Sequence, residues 1–120
     1  MNKNLTPAAT VLVLRDSKDG IEVLMVKRSK KPPFENLYVF PGGKIDEDDC
    51  HKDWRSYCDG HNDSSASEIL GLNSDGLSYW IACIRECFEE VGILLAKRKS
   101  GKKLNLEGHD KKKFDVYRRD

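Results

Sequence analysis

The sequence has little imbalance of charge and few apolar residues for its length. Its 120 residues include 21 Lys and Arg against 20 Asp and Glu, which gives a formal net charge of +1. A charge so close to zero excludes the global basic field that would hold nucleic acid or an anionic membrane. Apolar residues make up 38% of the chain, below the roughly 45–50% typical of a globular domain. We therefore expect a small core, solvated loops, or a fold of which a part lies elsewhere.

Long apolar runs are also lacking. No stretch approaches the roughly 18 apolar residues of a membrane helix, and residues 1–4 offer no apolar core of a signal peptide. Four cysteines are too few for a disulfide-rich secreted scaffold, so we expect reduced thiols inside the cell. The length predicts one domain spanning residues 1–120.

The first half of the chain predicts strands. Residues 8–14 and 21–26 are apolar, β-branched runs joined by a polar turn at 15–20, which is typical of an antiparallel hairpin. A third run, 37–40, leads into Pro41-Gly42-Gly43, where Pro ends the strand and the glycines allow unusual backbone geometry. Residues 46–78 have the composition of loops, with one weakly amphipathic piece around 67–72. We interpret residues 50–77 as an insertion.

The strongest helix prediction covers residues 78–95. Ser78, or Asp75 slightly earlier, can cap its N-terminus, and Gly92 is placed to end it. One apolar stripe recurs at spacings of three and four: Ile81, Ile84, Phe88, Val91 and Leu95. The charge-rich tail from residue 97 hints at one more element, around Phe114, Val116 and Tyr117.

Three carboxylates share one face of the predicted helix. Glu86 and Glu90 are four residues apart, and Glu86 and Glu89 are three apart. Clustered carboxylates repel one another unless a cation lies between them, and ligands that are all oxygen suit Mg²⁺ or Mn²⁺. Arg85 can orient a carboxylate through its planar fork of donors. The alternative is a solvated acidic face without a ligand.

Here the chain resembles the Nudix hydrolase superfamily, whose box joins a glycine loop to a helix that carries three glutamates. Residues 85–93 read Arg-Glu-Cys-Phe-Glu-Glu-Val-Gly-Ile and match the second half of that box. Gly43 is the glycine of the first half, and Asp49 stands at the position of the box Glu. The box Arg would fall at 57 in an unbroken box but stands at 85, which is 28 residues later. The predicted insertion accounts for the difference.

An interrupted box of this kind resembles the peroxisomal coenzyme A diphosphatases. The likeness extends over residues 23–52 and 88–96. The resemblance implies a metal-dependent hydrolase that cleaves a pyrophosphate linkage in a nucleoside diphosphate derivative, coenzyme A or acyl-coenzyme A among them. Its partner would be this small nucleotide substrate, with neither nucleic acid nor membrane. The location would be peroxisomal, mitochondrial or cytoplasmic.

The resemblance also implies residue roles. The metal ligands would be Glu86, Glu89, Glu90 and the backbone carbonyl of Gly43, and one of the glutamates would act on the attacking water. Arg85 would hold a catalytic Glu by a salt bridge. Arg28 and Lys27 would contact the substrate phosphates, although Arg28 as an ordinary exposed charge at a strand end is an equal alternative.

The implied fold is the Nudix fold, an α+β architecture described as an α/β/α sandwich with a mixed sheet. Such a fold normally continues past the box with further strands and a closing helix, and only residues 94–120 follow the box here. We therefore expect a domain truncated after the Nudix helix. The alternative function is a Nudix-like ligand-binding or regulatory module, or an inactive truncated isoform, without turnover.

The predicted insertion carries side chains of the types that bind zinc. They are Cys50, His51, Cys58 and His61. Their spacing matches no recognised finger pattern, so incidental thiols and imidazoles in a loop are the favoured interpretation. The aromatic residues nearby either anchor the insertion or stack a base, and we favour the anchor. They are Trp54, Tyr57, Tyr79 and Trp80.

Overall fold

A computed structural model describes residues 4–28 and 36–102, so the element predicted around residues 114–117 lies outside the described part. Six short strands are followed by a 3₁₀ helix and three α-helices. The strands are β1 (Ala8–Thr10), β2 (Leu14–Ser17), β3 (Gly20–Val23), β4 (Val26–Lys27), β5 (Tyr38–Val39) and β6 (Gly42–Lys44). The helices are the 3₁₀ helix Glu47–Cys50, α1 (Trp54–Tyr57), α2 (Asp63–Leu70) and α3 (Gly76–Val91).

The first predicted run is extended, but it changes partners midway. Ala8–Thr10 pairs with β6, whereas Leu14–Ser17 pairs with β3 in an antiparallel hairpin. Backbone bonds extend both pairings: Val11 N–H donates to the Pro41 carbonyl, and Leu24 N–H donates to the Val13 carbonyl, each at 2.9 Å. The predicted hairpin is therefore confirmed with a tighter turn, because residues 15–17 belong to the strand.

Strand β6 was missed by the sequence analysis. It follows Pro41 directly and pairs in antiparallel register with β1, Ala9 opposite Gly43 and Thr10 opposite Gly42. Glycine has a low strand propensity because it carries no side chain to pack. At Gly42 that lack is what permits the pairing, since a Cβ built there would lie 2.9 Å from Thr10 Cα.

The segment predicted as loop is largely helical. Asp46 precedes the 3₁₀ helix, and α1 and α2 follow within residues 54–70. Helix α2 begins at Asp63, four residues before the predicted amphipathic piece at 67–72. It begins there because Asn62 caps it by accepting the Ser65 N–H at 2.9 Å. Asn and Ser therefore act here as helix signals, although their composition favours loops.

Helix α3 begins at Gly76 and ends at Val91. Asp75, the earlier of the two predicted cap residues, precedes the first turn. Its side chain makes no capping bond. Gly92 ends the helix in the left-handed conformation with φ of 73°. Leu95, the last residue of the predicted stripe, consequently lies beyond the helix and is 40% exposed.

Most of the buried apolar residues lie on α3. Ala66, Leu77 and Ile81 form a cluster between α2 and α3, and Trp80 packs against that cluster, as expected of an anchoring aromatic residue. Cys87 is fully buried, where a thiol packs as a small apolar group, and Pro41 is also fully buried. Several apolar side chains of the hairpin, among them Leu14 and Ile21, are exposed.

The predicted α+β class is confirmed by these elements. All three strand pairs within the described residues are antiparallel, so the mixed sheet that the resemblance implied is not found in that part of the chain. Among the helices described, none has both the length and the apolar character to cross a bilayer.

Candidate active site

Arg85 joins the two separated halves of the predicted box. Its guanidinium donates from Nε to Asp49 Oδ1 and from Nη2 to Asp49 Oδ2, each at 2.9 Å. The Asp49 side chain is 1% exposed and the Arg85 side chain is 22% exposed. Hydrogen bonding to Asp49 is the largest cause of the raised pKa of Arg85. The pair is thus a sheltered, two-pronged ion pair across 36 residues of sequence.

Asp49 is itself held by the turn that precedes it. Its Oδ2 also accepts the backbone N–H of Asp46 at 2.8 Å. The sequence placed Asp49 where the box normally has Glu, and the shorter arm still reaches Arg85 because the 3₁₀ helix brings this residue against α3. Both carboxylate oxygens of Asp49 are therefore used.

The remaining donors of Arg85 reach the helix face that carries the three predicted metal-binding glutamates. Nη1 donates to Glu86 Oε1 at 3.0 Å and to Glu89 Oε2 at 3.1 Å. Nη2 also donates to the backbone carbonyl of Lys44 at 3.0 Å. One side chain thus fixes two of the three glutamates relative to the glycine loop. The salt bridge from Arg85 to a glutamate, which the resemblance implied, is present twice.

Glu90 faces Glu86 and the glycine loop. Its carboxyl group is hydrogen-bonded to the Glu86 side chain and accepts the backbone N–H of Gly42. The pKa of Glu90 is raised, chiefly because its carboxyl group is partly desolvated and then because of the neighbouring Glu86 charge; the Gly42 N–H and the positive charge of Arg28 oppose the rise. Loss of a proton from Glu90 is therefore less favourable than from a free glutamate.

The glycine loop lies directly against this carboxylate pair. A Cβ built on Gly43 would lie 2.6 Å from the Glu86 carboxyl carbon. Only a glycine fits this spacing without displacing Glu86. The predicted juxtaposition of the loop and the helix is thus present, with the Gly43 backbone beside Glu86.

The predicted metal ligands do not converge as a complete set. Within residues 4–28 and 36–102, no three His, Cys, Asp or Glu side chains stand where they could bind one ion together. Glu86 and Glu90 are in contact, while Glu89 is turned to Arg85. The metal-binding role of Glu86, Glu89, Glu90 and Gly43 stays a prediction.

The two basic residues predicted for substrate phosphates have different surroundings. Lys27 lies on β4 opposite Tyr38. Arg28 follows β4, donates its backbone N–H to the Leu37 carbonyl at 2.9 Å, and lies near enough to Glu90 for its charge to lower the pKa of that carboxyl group. Arg28 is therefore the one of the two that the structure relates to the carboxylates.

The cysteines and histidines of residues 50–61 are engaged separately. Cys58 packs against the apolar cluster between α2 and α3, where burial raises the pKa of its thiol. His61 contacts the Trp80 ring edge-on, with 4.6 Å between ring centroids. His51 is paired with Asp53, at 3.5 Å between Nδ1 and Oδ2. Among the described residues these side chains are not gathered as a metal-binding group.

Comparison with known families identifies the family to which this chain belongs. The family model described as NUDIX domain matches residues 4–119. The chain belongs to the NUDIX domain family. The loop at Gly42 and Gly43 and helix α3 remain the predicted halves of the box, and the ion pair of Arg85 with Asp49 connects them.

Two relatives are informative about this Nudix chain. It is 30% identical, over 102 aligned residues, to the protein named acyl-coenzyme A diphosphatase NUDT19 of Xenopus laevis; the match covers 68% of this chain and 27% of that protein. A crystal structure of a Nudix hydrolase from Alicyclobacillus acidocaldarius superposes with a TM-score of 0.63 at 24% identity, covering 98% of this chain and 55% of that one. The predicted Nudix fold is thereby confirmed. The chain spans about a quarter of the first relative and about half of the second.

Proposed function

We propose that this chain is a Nudix pyrophosphohydrolase. It would hydrolyse, with a divalent cation, a pyrophosphate linkage in a nucleoside diphosphate derivative. The observation that carries the proposal is the position of Arg85, which binds Asp49 from one half of the box and both Glu86 and Glu89 from the other. An acidic face that served only solubility would not need a sheltered arginine to orient two of its carboxylates.

The donor types, although not gathered as a complete set among the described residues, suit Mg²⁺ or Mn²⁺. Glu86, Glu89, Glu90 and the Gly43 carbonyl would hold the cation, and oxygen ligands of this kind are those that both ions prefer. The raised pKa of Glu90 has desolvation as its first cause and the Glu86 charge as its second, and a cation at this face would offset that charge. When bound, the cation would supply positive charge for the pyrophosphate oxygens and make a water molecule more acidic.

The side chains of this chain would do the rest of the work. Arg85 orients Glu86 and Glu89, and one of the glutamates accepts a proton from the attacking water. The water oxygen forms a bond to one phosphorus, the bond from that phosphorus to the bridging oxygen breaks, and the second phosphate leaves with the electron pair. Arg28, close to Glu90, together with Lys27, would steady the phosphates through charge.

Coenzyme A or acyl-coenzyme A is the substrate we propose. The support is the similarity to a protein whose name is acyl-coenzyme A diphosphatase, together with the interrupted box. Cleavage would yield 4′-phosphopantetheine and adenosine 3′,5′-bisphosphate. A peroxisomal, mitochondrial or cytoplasmic location accompanies this proposal.

The second candidate is a Nudix-like module that binds its ligand without turnover. One observation favours it: within the described residues no three acidic side chains are gathered as a metal site. Such a module would bind coenzyme A or a related nucleotide and leave the pyrophosphate intact.

Product analysis tests the proposal. The purified chain is incubated with coenzyme A and Mg²⁺ or Mn²⁺, and the products are separated by chromatography. We expect adenosine 3′,5′-bisphosphate from the wild type and a loss of about 100-fold or more in Glu89→Gln. Glu22→Gln, which alters an exposed ion pair on β3, is the matched control and should retain wild-type turnover. Coenzyme A binding without product at saturating cation would favour the second candidate, and cleavage only of other pyrophosphates would refute coenzyme A.

A further inference from the structure

The segment between the two halves of the box holds the start of the Nudix helix. Asp63, the first residue of α2, accepts the backbone N–H groups of Asp75 and Leu77 through its two carboxylate oxygens, each at 3.1 Å. These are N–H groups at the start of α3 that have no partner within the helix. The side chain of Asp75, the residue in the capping position, makes no such bond. Helix α3 is therefore capped from a different helix.

A second contact joins the same two helices. Ser67 Oγ accepts the Gly76 N–H at 2.8 Å in a buried position. A Cβ built on Gly76 would lie 2.5 Å from Ser67 Cα, so the two backbones touch. Asp63 and Ser67 are one turn apart on α2 and hold consecutive amides of α3. The two contacts fix the position of α3 along its own axis.

The turn that enters α3 is strained. Asp75 has φ of 64°, in the left-handed region that residues other than glycine seldom occupy. Such a conformation costs free energy and persists where its surroundings determine it. Here the surroundings include Asp63, which accepts the Asp75 N–H. Asp63 therefore stabilises this conformation of the turn.

The other end of this segment lies near the ion pair of Asp49 with Arg85. Asp49, Trp54, Asp63 and Ser78 line one small cavity of about 30 Å³, so the 3₁₀ helix, α1, α2 and the first turn of α3 meet at one place. Trp54 Nε1 donates to the Asp48 carbonyl at 2.7 Å, which ties α1 to the residue before Asp49. Trp54 thus holds the residue before Asp49, while Asp63 and Ser67 hold the start of α3.

We propose that Asp63 and Ser67 are positioning residues for the active site. They set the axial position of α3 and thereby align Arg85, about 15 Å further along the helix, with Asp49. The segment of residues 50–77 is then a brace between the two halves of the box. This inference rests on the proposed function for its effect on turnover, while its structural content can be measured separately.

Two variants of α2 test the brace. Asp63→Ala removes the cap of α3, whereas Asn62→Ala removes the cap of α2 itself, the bond from Ser65 N–H to Asn62 Oδ1, at a similar cost in stability. Amide exchange, resolved by NMR, is measured at Asp46, whose N–H is bound to Asp49 and touches no residue of α2. Turnover is measured on the same proteins well below their unfolding temperatures.

We expect Asp63→Ala to speed exchange at Asp46 and to lower kcat about tenfold, with little change in KM, because a small displacement of a catalytic group is costly. Asn62→Ala should change neither. The brace is wrong if the Asp46 amide exchanges at the wild-type rate in Asp63→Ala, or equally fast in both variants. If Asp63→Ala does not fold, Asp63→Asn, which keeps one acceptor oxygen, carries the same comparison.

Absence of turnover in the wild type would refute the proposed function and not the brace. In that case the exchange rates at Asp46 still decide whether α2 acts on the other half of the box. Faster exchange in Asp63→Ala alone would keep the brace as a structural device, and unchanged exchange would reject it.

Discussion

Arg85 and Asp49 form the one sheltered ion pair that spans both halves of the predicted Nudix box within the described residues. Two bonds of 2.9 Å join them, and only 1% of the Asp49 side chain is exposed. The same arginine reaches Glu86 and Glu89. The stability of the site and the orientation of its carboxylates therefore depend on a single guanidinium.

Replacing Asp49 should be far more costly than replacing the neighbouring Asp46. Asp49→Ala leaves a largely buried arginine without its main partner, which costs about 3 kcal/mol of unfolding free energy. Asp46 lies 3.6 Å from Arg85 and its side chain is 64% exposed, so Asp46→Ala should cost under about 1 kcal/mol. Urea unfolding monitored by circular dichroism measures both. Equal losses would show that the pair with Asp49 has no special weight.

Replacement of Arg85 by lysine should lower both activity and stability. Arg85→Lys keeps the positive charge but cannot donate to Asp49, Glu86 and Glu89 together, because an ammonium group lacks the planar fork of donors. We expect kcat/KM to fall at least about tenfold in the variant, with its stability lowered by about 1–3 kcal/mol. Steady-state kinetics on the pyrophosphate substrate gives the first number. Activity equal to that of the wild type would mean that charge alone suffices.

Substitution of Gly42 should mainly lower stability, whereas substitution of the adjacent Gly43 should mainly lower activity. At Gly42 a Cβ would meet backbone, with Thr10 Cα at 2.9 Å, so Gly42→Ala must displace β1 and should lower the melting temperature. At Gly43 a Cβ would meet the end of the flexible Glu86 side chain, which can turn away at little cost. Gly43→Ala should therefore fold normally and lose activity. Calorimetry together with kinetics on both variants checks this, and the opposite pattern would contradict the placement of the loop.

Glu90→Gln should stabilise the metal-free protein at neutral pH. The glutamine keeps an acceptor for the Gly42 N–H and removes the like charge beside Glu86, a gain of about 0.2–0.5 kcal/mol. Because folding raises the pKa of Glu90, chiefly by desolvation, its contribution favours the wild type at low pH and is lost as the pH rises through that pKa. Unfolding in EDTA at neutral and acidic pH should show the difference shrink on acidification. A constant or reversed difference would contradict the assigned surroundings of Glu90.

The sequence was most informative where one local pattern determines the structure. The apolar stripe from Ile81 to Val91 and the stop at Gly92 placed α3, since helical periodicity depends on near neighbours in sequence. The same periodicity placed Glu86, Glu89 and Glu90 on one face. Arg85 was singled out by its place beside Glu86 and its planar fork of donors, and the resemblance added the salt bridge to a glutamate.

The parts that the sequence did not predict depend on distant contacts. Strand β6 exists because Gly42 and Gly43 can approach β1 closely, and nothing within residues 41–44 encodes that partner. Asp63 looks like part of a polar loop, yet it caps a helix that begins 13 residues later. The reach of Asp49 to Arg85 likewise follows from how the 3₁₀ helix packs on α3.

Binding of Mn²⁺ is the most direct test of the claim that the carboxylates of α3 form a cation site used for pyrophosphate hydrolysis. Isothermal titration of Mn²⁺ compares the wild type, Glu86→Gln and the control Glu22→Gln. We expect saturable binding in the wild type, the same affinity in Glu22→Gln, and an affinity at least about tenfold weaker in Glu86→Gln. No binding to the wild type, or equal affinity in all three proteins, would contradict the account.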